Sequence, residues 1–87
     1  MSQQNEQIRA DVLAIVKRLA PEIDAAQIIP DRPLRTQIDL DSMDWLNVLA
    51  TIHEKLGVAI PEADYGKVQT LDSIVAYLGD KIPAAQT

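Results

Sequence analysis

The chain of 87 residues contains no cysteine, which excludes disulfides, thiolate metal sites and a cysteine nucleophile. It contains no phenylalanine either, and Trp45, Tyr65 and Tyr77 are its only aromatic residues. Aliphatic side chains must therefore fill the core. The single histidine, His53, has no second His and no Cys to share a metal with. No apolar run approaches the ~20 residues of a membrane span, so stable membrane insertion is not expected. The start, MSQQNEQIRADVLAIV, lacks a basic leader followed by a long apolar stretch. No signal peptide is expected, and the cytoplasm is the expected location. Basic residues are also in deficit: the net charge is −5, which argues against nucleic acid, whose phosphates would be repelled.

What remains is a short, largely aliphatic chain. At this size a domain buries only about 60% of the surface its unfolded chain exposes. Residues 1–82 are expected to form one domain, monomeric and too small for a deep catalytic cleft, with 83–87 a mobile tail. The acidity is concentrated. Between residues 39 and 64 stand Asp39, Asp41, Asp44, Glu54, Glu62 and Asp64 against the single base Lys55, which accounts for the whole excess. Partners with basic docking patches are the expected complement.

The apolar residues Ile8, Val12, Ile15, Val16 and Leu19 recur at helical spacing and predict a first helix from Ser2 to Leu19. Pro21 helps end it. Residues 20–40 carry three prolines and no sustained period, predicting a long loop. Ile23, Ile28, Ile29, Leu34 and Ile38 within it imply that the loop is ordered and pinned to the core. A second helix is predicted to begin near Asp41, whose carboxylate can accept first-turn N–H groups, with Asp44 in a box-like position. Leu46, Leu49, Ile52 and Leu56 mark its expected inward stripe, and Gly57 suits its left-handed end. Residues 62–68 predict one or two helical turns. Thr70 is a plausible cap for a last helix from Leu71 to Leu78, with Gly79 at its end. The expected fold is all-α, a small three- to four-helix bundle with a long loop between the first two main helices.

Chemistry is expected where that loop enters the second helix, at Asp41-Ser42-Met43. Ser42 falls at the first helical position, flanked by free backbone N–H groups. A phosphate ester there would meet the positive end of the helix dipole, worth roughly 0.3–1 kcal/mol when exposed. A catalytic Ser42 would need a base within hydrogen-bond reach. His53 lies eleven residues along the same helix, about 16 Å away at about 1.5 Å per residue. A hydrolase reading fails on that distance, and no catalytic residue is assigned.

The triplet alone is weak evidence, since a Ser at a helix start is more often only a helix-terminus residue. Across residues 5–80, however, the chain resembles the acyl carrier protein family. The resemblance rests on I38-DLDSMDWLNVLATIHEKLGVAIPEAD, with its D-S-M and LG-hydrophobic-x-IP pattern, and on T70-LDSIVAYL. It implies that a phosphopantetheinyl transferase, using Mg²⁺ and coenzyme A, attaches 4'-phosphopantetheine to Ser42, with Asp41 as the motif residue at the helix start. Acyl groups would ride as thioesters on the cofactor thiol, loaded and processed by partner enzymes. The protein itself would not be an enzyme. Met43, Asp44, Asn47, Val48 and Glu54 are the docking candidates; Leu46, Leu49, Ile52 and Val75 are the candidates for an acyl pocket between helices.

The chain also departs from the family pattern. Members used in fatty-acid synthesis commonly have Gly where Asp39 stands, and acids where this chain has Asn47, His53 and Lys55. The thinned acidity suggests a specialised carrier of a fatty-acid-like, lipid or polyketide pathway. Trp45 is expected either to close the gap between helix and loop or to shield the arm or recognise a partner. Two alternatives stay open: an aminoacyl, D-alanyl or peptidyl carrier of the same fold, and a cofactor-free helical interaction domain.

Overall fold

The computed structural model describes residues 3–82; the tail at 83–87 and the expected helix start at Ser2 lie outside the described residues. Four α-helices follow in order: α1 (Gln3–Leu19), α2 (Leu34–Gln37), α3 (Ser42–Leu56) and α4 (Leu71–Lys81). Two 3₁₀ stretches, Ala25–Gln27 and Glu62–Lys67, lie between them. No strand forms among the described residues, and the all-α bundle stands as the sequence predicts.

The three long helices meet around one aliphatic core. Ile8, Val12, Ile15 and Val16 of α1 are buried with Leu71, Ile74, Val75 and Leu78 of α4 and the inner face of α3. α1 packs against both α3 and α4. An exposed Arg9–Asp72 ion pair at 3.1 Å spans α1 and α4, contributing at most ~1 kcal/mol in such a setting. Leu19, expected inward, is exposed. It stands at the end of α1 and lines a groove beside α3, while Ala20 is the buried residue that closes the core there.

α4 begins where expected. Thr70 accepts the Ser73 N–H, and the Ser73 hydroxyl accepts the Thr70 N–H, a reciprocal capping box. It does not stop at Leu78 but runs on to Lys81, with Gly79 inside the helix. A side chain at Gly79 would come within 2.9 Å of Asn5 Oδ1. This glycine thus lies inside α4, facing the Asn5 side chain of α1, rather than at a helix end.

The long segment between α1 and α3 is ordered, for reasons partly invisible in the sequence. Leu34, Ile38 and Leu40 are buried, and Ile23 and Ile28 pack against the core. Ile29 is not among the anchors; its side chain is exposed. Its backbone is held instead. The Gln37 carboxamide accepts the Ile29 N–H at 2.6 Å and donates to the carbonyls of Ile29 at 2.8 Å and Arg32 at 3.0 Å. The segment is also tied to the start of α4. Leu34 N–H donates to Gln69 O at 2.8 Å and Asp72 N–H to Pro30 O at 3.0 Å, beside an isolated bridge between Pro33 and Thr70.

Candidate functional site: the start of the third helix

Ser42 is the first residue of α3, and Asp41 is its cap. The Asp41 carboxylate accepts the Asp44 N–H at 2.8 Å and its carbonyl accepts the Trp45 N–H at 2.9 Å. Asp44 makes no return bond, so only half of the expected box forms. The N–H groups of Ser42 and Met43 have no acceptor among the described residues, as expected for the first turn of a helix. The Ser42 side chain is exposed, and its hydroxyl makes no hydrogen bond among the described residues. An accessible hydroxyl thus stands beside two unused backbone donors at the positive end of a fifteen-residue helix. At the far end, Gly57 takes φ 75°, and its N–H bonds His53 O at 2.9 Å, as the sequence predicts.

The phase of α3 differs from expectation. Trp45, Val48, Leu49 and Ile52 form its buried face, Leu56 is half-buried, and Leu46 is 48% exposed. Leu46 and Trp45 are adjacent and so lie ~100° apart around the helix. The core takes the larger apolar surface of the indole and turns Leu46 outward. Two expectations are corrected by this rotation. Leu46 does not line an interhelical pocket in this structure, and Val48, with no exposed surface, is not presented to a partner. Leu49, Ile52 and Val75 are buried together in the core cluster.

The remaining docking candidates do share the surface. Met43, 69% exposed, and the exposed Asn47 and Glu54 lie outward, with Asp44 half-buried at the helix start. Asn47 and Glu54 line a groove of about 560 Å³ together with His53 and with Arg18 and Leu19 of α1. The contribution of α1 to this surface was not readable from sequence; only the packing of two distant helices creates it. His53 is exposed and far from Ser42 along the helix. Among the described residues no group of His, Asp and Glu is arranged to hold a metal.

A second cleft, of about 540 Å³, is lined by Leu40 and Trp45, which flank Ser42 in the sequence. Pro33, Arg35, Tyr65 and Gln69 also line it. Trp45 is 6% exposed and belongs to the core cluster. Farther along, Tyr77 of α4 donates its hydroxyl to Asp64 at 2.6 Å. That bond holds the Asp64 carboxyl below its ordinary pKa and raises the Tyr77 phenol. Lys67 adds to the lowering of Asp64 through an ion pair at 3.5 Å.

A small helical bundle presenting a bare serine at a capped helix start has the build of a carrier rather than a catalyst. The comparisons with known proteins agree. The family described as "Phosphopantetheine attachment site" matches residues 10–78. The acyl carrier protein of Thermosynechococcus vestitus is 22% identical over 79 residues, 87% of this chain and 98% of that protein. The acyl carrier protein of Helicobacter pylori strain G27 is 29% identical over 70 residues, 80% of this chain and 88% of its own length. The meromycolate extension acyl carrier protein of Mycobacterium bovis is 27% identical over 73 residues, 84% of this chain but only 63% of that longer protein. The chain belongs to the acyl carrier protein family.

Membership makes it a carrier and not an enzyme, with 4'-phosphopantetheine as its cofactor. The residues present at the start of α3 fit that group. A phosphodiester needs an exposed hydroxyl and a favourable field, and the free Ser42 and Met43 N–H groups supply the latter. The cofactor brings the thiol that this cysteine-free chain lacks. No helix among the described residues is long and apolar enough to cross a membrane.

Proposed function

We propose that Ser42 bears the phosphopantetheine arm and that the protein carries acyl groups on it, as thioesters, between enzymes of a dedicated lipid or polyketide pathway in the cytoplasm. The observation that carries this reading is the bare, exposed Ser42 hydroxyl at the first position of α3, next to two N–H groups without acceptors. Asp41 acts by holding the first turn in shape. A phosphopantetheinyl transferase would read the turn around Met43. Acyl-processing enzymes would dock on the outward face of α3, where Met43, Asn47 and Glu54 of the expected set stand exposed together with Leu46.

The restricted choice of partners follows from charge. This face keeps Asp41, Asp44 and Glu54 but interrupts them with Asn47, His53, Lys55 and the apolar Leu46. A basic patch matched to a uniformly acidic helix loses part of its complement here. Ready acceptance of the acylated protein by a housekeeping fatty-acid ketosynthase would contradict the dedicated role. The attachment itself is tested by intact mass after incubation with coenzyme A, Mg²⁺ and a broad-range transferase. The phosphopantetheine increment is expected on the wild type and not on Ser42→Ala.

A further inference from the structure

The cleft beside the Ser42 turn differs from the rest of this acidic region in its charge. Arg35 is the only ionisable cation lining it, and no carboxylate lines it. Arg35 forms no ion pair among the described residues; its one hydrogen bond runs from Nε to Leu40 O at 3.4 Å. That bond draws the guanidinium toward a residue two positions before Ser42 and leaves both Nη groups unused.

Two further donors in the same cleft are also unspent. The Tyr65 hydroxyl and the Trp45 indole N–H have no acceptor among the described residues. No buried side-chain nitrogen or oxygen is left without a partner, so the indole N–H lies in the small accessible part of Trp45. The residues lining the cleft thus hold unspent donors, one positive charge and an indole that belongs to the core cluster. Its complement is a small group with an anionic acceptor and a carbonyl. A guanidinium fork matches a carboxylate in two parallel hydrogen bonds, and about 540 Å³ suits a small ligand.

We propose that this cleft receives the acyl end of the cargo, and that Arg35 selects a short acyl group ending in a carboxylate over a neutral alkyl chain. The inference rests on attachment of the arm at Ser42. The thioester end of such a cargo faces Trp45 and Tyr65, and the terminal carboxylate pairs with Arg35. An extended alkyl chain has no charge for Arg35 and meets the indole where it would enter the core.

The test uses the isotope-labelled protein charged by a transferase from coenzyme A itself or from succinyl-, butyryl- or octanoyl-coenzyme A. Loading is followed by intact mass. The resonances to follow are the Trp45 indole N–H, the Arg35 Nε–H and the Tyr65 and Gly66 amides. The succinyl form is expected to shift them relative to the holo form, and the neutral butyryl form to leave them near their holo positions. Arg35→Gln should load normally and lose the succinyl-specific shift, while Arg35→Lys keeps the charge without the fork and retains a reduced one. Identical spectra for succinyl and butyryl forms would overturn the proposal. So would a full shift of Arg35 in the holo form before any acyl group is present, which would make the arm's phosphate the bound anion. A cleft that stays silent while octanoyl loading moves the methyls of Leu49, Ile52 and Val75 would overturn it too. Absence of any mass increment on the wild type removes the Ser42 reading and this inference together; a normal increment with an unresponsive cleft removes only the inference.

Discussion

The two faces of α3 share one helix and one cap yet differ in almost everything else. The inner face, Trp45, Val48, Leu49 and Ile52, is buried and aliphatic apart from one indole. The outer face runs from Ser42 and Met43 through Leu46 and Asn47 to Glu54, exposed throughout. Interiors are packed to crystal-like density, so the inner face has little freedom to vary. Changes on the outer face leave the core intact and act on whatever meets the surface. The contrast teaches that burial and exposure are separated on this helix to within one residue, since Trp45 is buried and the adjacent Leu46 exposed.

Substitutions can break that comparison. The largest stability effect is expected from the inner face. Ile52→Ala removes a side chain with no exposed surface and should cost about 2–5 kcal/mol in denaturant unfolding. Gly57→Ala comes next. Its surroundings are open, with nothing within 4 Å of an added Cβ, so the cost is that of the left-handed backbone alone, about 1–2 kcal/mol. Leu46→Ala should change unfolding by no more than about 0.5 kcal/mol while weakening capture by a cognate acyl-processing enzyme. A large loss of stability from Leu46→Ala would show that the helix sits in the phase first expected from its leucine spacing.

The smallest expected effect is on pH dependence, at the Tyr77–Asp64 contact. Asp64 has a lowered pKa when folded, so its contribution is complete above the ordinary carboxylate range and is lost as pH falls through the lowered value. Tyr77 has a raised pKa, so its contribution is complete below the ordinary phenol range and is lost as pH rises through the raised value. Tyr77→Phe should flatten the stability profile at both its acid and alkaline ends, with little change near neutrality beyond the lost bond. An unchanged profile would mean that the contact does not persist in solution.

The bounds of α3 were legible because they rest on local chemistry: a carboxylate that caps and a glycine that can turn left-handed. Thr70 was legible for the same reason. The phase of α3 was not, because Trp45 and Leu46 compete for one place in the core and only the neighbouring elements decide between them. α2 was missed because four residues carry no detectable period, and Gln37 because its partners are backbone groups that only the folded loop brings within reach. At the candidate site, Ser42 and Asp41 were readable as a motif. The place of Arg35 in the neighbouring cleft was not, since six residues separate it from Ser42 and no spacing rule links them.

The paired backbone bonds between the loop and the start of α4 bear on how the molecule opens. Leu34 N–H to Gln69 O and Asp72 N–H to Pro30 O cross between segments more than thirty residues apart, so neither can break cleanly without loosening the other. The two amides should exchange with solvent deuterium as one cooperative unit, at closely similar opening free energies. Arg35 follows Leu34 directly. The Leu34 bond thus joins the residue before Arg35 to the segment that opens α4.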